Sequence, residues 1–277
     1  MMRRALPALA GLLTAACSPT GIANLLTRPG EATERTGLAY GPLPQHRLDL
    51  YVPNGAKALL VFFYGGSWQQ GSRGDYAFLG RALAARGYAV AIPDYRLWPA
   101  AGWPGFVEDA ALATAWAQSA PEAPRLPVFV MGHSAGGFLA ASLALDPRWM
   151  GEAGRSRLAG GVLMAAPILW QPRRGTLVEI FAAAPGGRIE AVPDPAMLAG
   201  APPLLLLHGG ADTVVQPVQS ERLEAALRGA GRTVRLLVFD GIGHIGLITP
   251  LVPSARFLGL AGAPVGEEID RFVTAFA

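Results

Sequence analysis

Six short, almost uninterrupted apolar runs constrain this chain more than any other feature. They are residues 58–64 (ALLVFFY), 89–93 (AVAIP), 127–131 (PVFVM), 161–165 (GVLMA), 204–207 (LLLL) and 234–239 (VRLLVF). A strand with one wet face alternates polar and apolar residues; a run that stays apolar is a strand covered on both faces. Between the runs lie longer stretches of helical character, at about 74–86, 105–118, 135–145, 216–230 and 266–276. In the last of these, Ile269, Phe272, Val273 and Phe276 fall at helical spacing. Strand–helix alternation on this scale predicts an α/β fold, a mostly parallel sheet flanked by helices on both faces. Residues 48–52 (LDLYV) alternate instead, and read as a strand in a hairpin with 37–41.

Composition removes other classes. The chain has 277 residues, 51% hydrophobic and 16% charged, which is too apolar for disorder. Past residue 17 no apolar run approaches the ~20 residues of a membrane-spanning helix. The net charge is +3, Lys57 is the only lysine, and the arginines are scattered rather than gathered in a stripe, so no nucleic-acid partner is expected. With a single cysteine no internal disulfide can form.

That cysteine is Cys17. Before it come Arg3-Arg4, an uncharged stretch over 5–16 and small residues, the pattern of a secretory signal peptide. The junction resembles the lipobox of bacterial lipoproteins, except that Thr14 stands where that motif prefers Leu and Leu13 lies one step earlier. The expectation is a signal peptide over 1–16, a lipid anchor at Cys17, a flexible tether over 17–35 and a single domain over 36–277. This reading places the protein at a bacterial cell envelope, membrane-anchored by the lipid, or secreted or periplasmic.

In open parallel sheets ligands bind beyond the carboxyl ends of the strands, so the residues that follow each run matter most. After PVFVM comes Gly132-His133-Ser134-Ala135-Gly136, a G-x-S-x-G turn between strand and helix. Such a turn exposes a strained serine, and side chains at the flanking glycines would collide with the neighbouring strand or helix. After ALLVFF comes Tyr64-Gly65-Gly66-Ser67-Trp68, where backbone N–H groups of Gly65, Gly66 and Ser67, with that of Ala135, are candidates to hold a developing oxyanion. A serine needs an imidazole to take its proton and a carboxylate to fix that imidazole. Of the four histidines, His46 precedes an early strand, His133 lies inside the turn and His208 ends a strand, which leaves His244. Asp212 follows the LLLL strand and gives the order Ser134…Asp212…His244; Asp240, four residues before His244, competes with it. No metal-ligand cluster and no nucleotide-binding glycine loop is present, so no cofactor is expected.

These motifs, with Asp94-Tyr95-Arg96-Leu97 at a strand end and Trp103-Pro104 before a helix carrying Asp109, resemble the α/β-hydrolase superfamily from about residue 48 to the end. Within it the chain is similar to the carboxylesterase branch that includes hormone-sensitive-lipase-like, feruloyl-esterase-like and kynurenine-formamidase-like enzymes. The resemblance implies an eight-stranded sheet, a small lid or none, and cofactor-free hydrolysis of esters or amides through a serine. Short-chain or aryl esters are the expected substrates; an arylformamidase and a non-catalytic binding protein are the alternatives. The family usually has His where Tyr64 stands. Tyr64 would brace the oxyanion loop or aim its hydroxyl at the oxyanion. The insertion between Pro167 and Pro202, with Trp170 and Phe181, is the candidate lid.

Overall fold

The computed structural model describes residues 19–27, 30–192, 194–252 and 262–277. The expected lipid anchor Cys17 and the signal peptide lie outside the described residues. Helix α1 (Pro19–Leu26) is followed by strands β1 (Thr33–Ala39), β2 (Arg47–Val52) and β3 (Leu59–Phe63). A single 3-10 turn (Arg73–Tyr76) leads into α2 (Ala77–Ala84), then β4 (Ala89–Pro93), α3 (Gly105–Ser119), β5 (Val128–His133) and α4 (Ala135–Leu145). Next come α5 (Gly151–Arg155), β6 (Leu158–Met164), β7 (Leu169–Trp170), α6 (Thr176–Ile180) and β8 (Ile189–Glu190). The chain continues through β9 (Leu204–Gly209), α7 (Val218–Gly229), β10 (Val234–Phe239) and α8 (Val265–Phe276).

Eight strands form one sheet in the order β1-β2-β4-β3-β5-β6-β9-β10. The first two pairings, β1 with β2 and β2 with β4, are antiparallel, and the others are parallel. Every residue of β3, β4, β5 and β9 is buried, as unbroken apolarity requires. Burying a Leu, Val or Phe side chain contributes about 1.5–3 kcal/mol, so these central strands anchor the sheet. The last apolar run behaves differently. β10 is the sheet edge, and its residues are half-buried or exposed. Helix α4 is buried along its whole length, which explains why its sequence, AGGFLAASLAL, is apolar on all sides.

Within the segment read as a tether, residues 19–26 are helical. Asn24 fixes that helix to the domain, donating to the Gly74 carbonyl at 2.8 Å and accepting the Phe78 N–H at 2.7 Å. The hairpin partner also begins earlier than residue 37, because Thr33 already pairs with Val52.

Candidate active site

The turn after β5 has the strain that its glycines predict. Ser134 sits at φ 54, ψ −122, a region that non-glycine residues rarely occupy. Its N–H is held by the Met164 carbonyl at 2.9 Å, and its own carbonyl takes the Phe138 N–H at 3.0 Å. A Cβ on Gly132 would lie 2.1 Å from the Gly136 carbonyl oxygen, and one on Gly136 would lie 2.0 Å from that of Phe63. The first collision is with the helix and the second with strand β3, so both glycines are required by close backbone approach.

β9 and β10 are parallel neighbours, and the loops that leave their carboxyl ends interlock. Gly210 and Ala211 donate their N–H groups to the carbonyls of Phe239 and Ile242, at 2.8 and 2.9 Å. This brings Asp212 and His244 together, with His244 Nδ1 2.7 Å from Asp212 Oδ2. The other carboxylate oxygen accepts the N–H groups of Val214 and Val215 at 2.8 and 2.9 Å. Burial alone would raise the Asp212 pKa; the bonds from His244, Val215 and Val214 outweigh it and hold the group below its usual value. An ionised carboxylate takes the Nδ1–H of His244 and leaves Nε2 as the basic nitrogen. Asp240, the competing acid, is exposed, and among the described residues its carboxylate makes no hydrogen bond.

The other histidines serve this arrangement. His133 leaves the turn on the side of His244, with Nε2 3.0 Å from the His244 carbonyl oxygen and ring centroids 4.7 Å apart. Burial first, and the His244 charge second, lower its pKa to about 4, so it is neutral and donates from Nε2. His208 is buried beneath Asp212, with Nε2 2.8 Å from the Val215 carbonyl oxygen and Nδ1 2.7 Å from Ser220 Oγ. Burial also lowers the His208 pKa. His46 lies elsewhere, paired at 3.0 Å with buried Asp109, which also takes Arg96 Nη2 at 2.7 Å. The approach of His133 to His244 joins residues far apart in the chain, and no local pattern announces it.

In the glycine loop after β3, Ser67 and Trp68 have positive φ, of 54 and 60. Gly65 lies beside the Tyr76 hydroxyl, whose pKa burial raises and the Gly65 backbone lowers. The N–H groups of Gly66, Ser67 and Ala135 donate to no protein acceptor among the described residues. Tyr64 takes the bracing role. It is buried, stacks on Tyr76 and Tyr95, and donates its hydroxyl to Asp94 at 3.2 Å. Asp94 also holds the Arg73 N–H at 2.6 Å and pairs with the Arg73 guanidinium.

A cavity of about 330 Å³ opens at Ser134 and Ala135, walled by Trp68, Trp170, Leu177, Val214 and Gln219 among others. The insertion after Pro167, the candidate lid, contributes Trp170 and Leu177 to the wall. Its strands β7 and β8 pair with each other. Phe181 is buried against Trp68, Phe106 and Phe138. The side chain of Gln219 accepts the N–H groups of Ile168 and Leu169.

Comparison with known proteins gives the family. The BD-FAE family matches residues 48–150, and the Prolyl oligopeptidase family matches residues 188–252. A probable isoprenylcysteine alpha-carbonyl methylesterase of Oryza sativa subsp. japonica is 31% identical, covering 76% of this chain. Esterase LipC of Mycobacterium tuberculosis is 30% identical over the same share of the chain. The chain spans 56% and 59% of the lengths of these relatives. Among solved structures, an esterase of the Planctomycetes species Thermogutta terrifontis is 26% identical with a TM-score of 0.62, covering 77% of this chain and 83% of that one. A phosphonate-inhibited esterase B of Lactobacillus rhamnosis superposes with a TM-score of 0.71 at 20% identity, covering 99% and 96%. This chain belongs to the carboxylesterase branch of the α/β hydrolases. In this hydrolase the strained serine, the carboxylate-bound imidazole and the unengaged loop N–H groups all stand at the carboxyl end of one sheet.

Proposed function

We propose that this α/β hydrolase is a serine carboxylesterase of short-chain or aryl esters, working at the cell envelope. The observation that carries the reading is the 2.7 Å bond between His244 Nδ1 and Asp212, beside a serine held at φ 54. Ser134 Oγ attacks the acyl carbon while His244 Nε2 takes its proton, and Asp212 keeps the imidazole in that tautomer and stabilises the imidazolium. The N–H groups of Ala135, Gly66 and Ser67 are the donors left for the oxyanion. His244 then protonates the departing alkoxide. Water, deprotonated in turn by His244, attacks the acyl-enzyme, which releases the acid and restores Ser134. The cavity is small and largely apolar, which suits a short acyl or aryl group.

A fluorophosphonate probe tests the nucleophile. It should label the wild type and leave Ser134→Ala unlabelled; labelling that survives the substitution removes Ser134 from the mechanism. The envelope placement rests on the leader and Cys17. Palmitate should be incorporated by the wild type in a bacterial host and lost in Cys17→Ser, and equal incorporation in both would refute the anchor.

A further inference from the structure

Of eleven large apolar side chains exposed among the described residues, five belong to the cavity wall or directly adjoin, in the chain, a residue of the wall or His244. Trp170 and Val214 stand in the wall of the cavity, 46% and 70% exposed. Ile245, 63% exposed, directly follows His244. Leu169 adjoins Trp170, and Val178 adjoins Leu177, another residue of the cavity wall; both are exposed. Two of these five line the cavity, and the other three are chain neighbours of a wall residue or of His244; we call the group the collar. Scattered exposed apolar residues are ordinary, whereas several gathered at a site mark a surface for meeting another apolar phase. Arg173 and Arg174 lie in the chain between the wall residues Trp170 and Leu177, are exposed and pair with no acid among the described residues; one exposed acid, Glu179, follows in α6.

A second observation, from the opposite side of the sheet, points the same way. Helix α1 is held through Asn24 to Gly74, Asp75 and Phe78. That turn lies at the carboxyl ends of β3 and β4, because Arg73 binds Asp94, the residue after β4. The segment that begins two residues after Cys17 is therefore fixed to the same end of the sheet as the cavity mouth. Ile22 and Leu25 of α1 are exposed there as well.

We infer that the mouth of the active site docks on an anionic lipid bilayer and draws its ester from it. The small cavity takes a short or aryl group, and the remaining, lipid-soluble part of the ester stays in the membrane. The collar enters the acyl boundary, and Arg173 and Arg174 meet the headgroups. The substrate half of this inference rests on the esterase reading; the docking half does not.

The test uses the full-length chain carrying Cys17→Ser, so that no acyl anchor contributes. It is mixed with phosphatidylcholine vesicles made with and without phosphatidylglycerol, and flotation and turnover are followed. Binding should need phosphatidylglycerol. Each basic residue at an anionic surface is worth about a fivefold change in affinity, so Arg173→Glu/Arg174→Glu should weaken it by well over tenfold. Val178→Asp, outside the cavity wall, should weaken binding and slow hydrolysis of a vesicle-dissolved naphthyl ester by roughly tenfold. Neither variant should change kcat/KM for p-nitrophenyl acetate in solution. Equal flotation of parent and variants overturns the inference. So does a parent that elutes as a dimer, ignores vesicles and becomes monomeric with Val178→Asp, since a second copy then covers the collar. If the parent binds vesicles in the expected way but hydrolyses neither ester, docking stands and the esterase reading fails.

Discussion

Replacing Asp212 by Asn isolates the contact on which the proposed chemistry turns. Asp212 Oδ1 accepts two backbone N–H groups, from Val214 and Val215, and Oδ2 faces His244 Nδ1 at 2.7 Å. An amide nitrogen cannot accept a hydrogen bond. The amide oxygen of the substituted side chain must therefore stay with the two N–H groups, which places the NH₂ against His244. Nδ1 then has to become the acceptor, the ring proton moves to Nε2, and the nitrogen that should receive the Ser134 proton is blocked. The equivalent substitution in another serine hydrolase costs about four orders of magnitude, or roughly 5 kcal/mol of barrier. We expect a loss of that size in kcat for p-nitrophenyl acetate, with KM nearly unchanged. The two loop bonds survive, so the melting temperature should move by only a few degrees. Asp240→Asn is the paired control. Its carboxylate is exposed, and activity should stay within about twofold, as for other surface substitutions. A loss below tenfold in Asp212→Asn, or a larger loss in Asp240→Asn, would refute the assignment of Asp212.

Three further outcomes follow from the geometry. His133 has its pKa lowered to about 4 by burial, so the unfolded chain takes up its proton first as pH falls. The stability that neutral His133 provides is complete above about pH 6.5 and is lost as pH falls towards 4, by about 3 kcal/mol. His133→Gln, which keeps a donor for the His244 carbonyl, should flatten the pH dependence of the melting temperature in that window; an unchanged slope would exclude His133 as its source. Gly136→Ala forces a Cβ to within 2.0 Å of the Phe63 carbonyl oxygen and should yield insoluble protein, whereas recovery of a wild-type melting temperature would mean that the turn is looser than described. Tyr64→Phe removes a hydrogen bond to a carboxylate, worth about 1.5–3 kcal/mol. Thermal melting should show that loss while kcat stays within about threefold; a hundredfold drop would place the Tyr64 hydroxyl on the oxyanion.

The positions of the strands were legible because unbroken apolarity has one physical meaning, burial on both faces. Residues 89–93 and 234–239 match β4 and β10 to the residue. The exposure of β10 was not legible, since position at a sheet edge is a property of strand order and not of the run itself. The site residues could be named because each lies immediately after such a run, where an open parallel sheet concentrates chemistry. Asp212 was the preferred acid, and Asp240 stayed a competitor because both follow strands; the hydrogen bond to His244 separates them. The helix at 19–26 was missed because Pro19 and Gly21 read as breakers. Proline is tolerated in a first helical turn, and Asn24 supplies tertiary bonds that no local propensity reveals.

The part of the site least visible in the sequence is what holds its loops in register. Ser134 belongs to the β5 loop, Asp212 to the β9 loop and His244 to the β10 loop, and a shift of about 1 Å between them would cost activity heavily. Backbone bonds tie the second loop to the third. His133 ties the first to the third through the His244 carbonyl. His208, beneath the second, holds the Val215 carbonyl, and so sets the two N–H groups that orient Asp212. In the proposed mechanism both bracing histidines must be neutral to do this without placing a second cation beside the imidazolium formed on His244, and burial lowers the pKa of both. Burial of His133 and His208 therefore does two jobs in the proposed mechanism: it keeps both as neutral braces, and it leaves His244 as the imidazole that gains the proton.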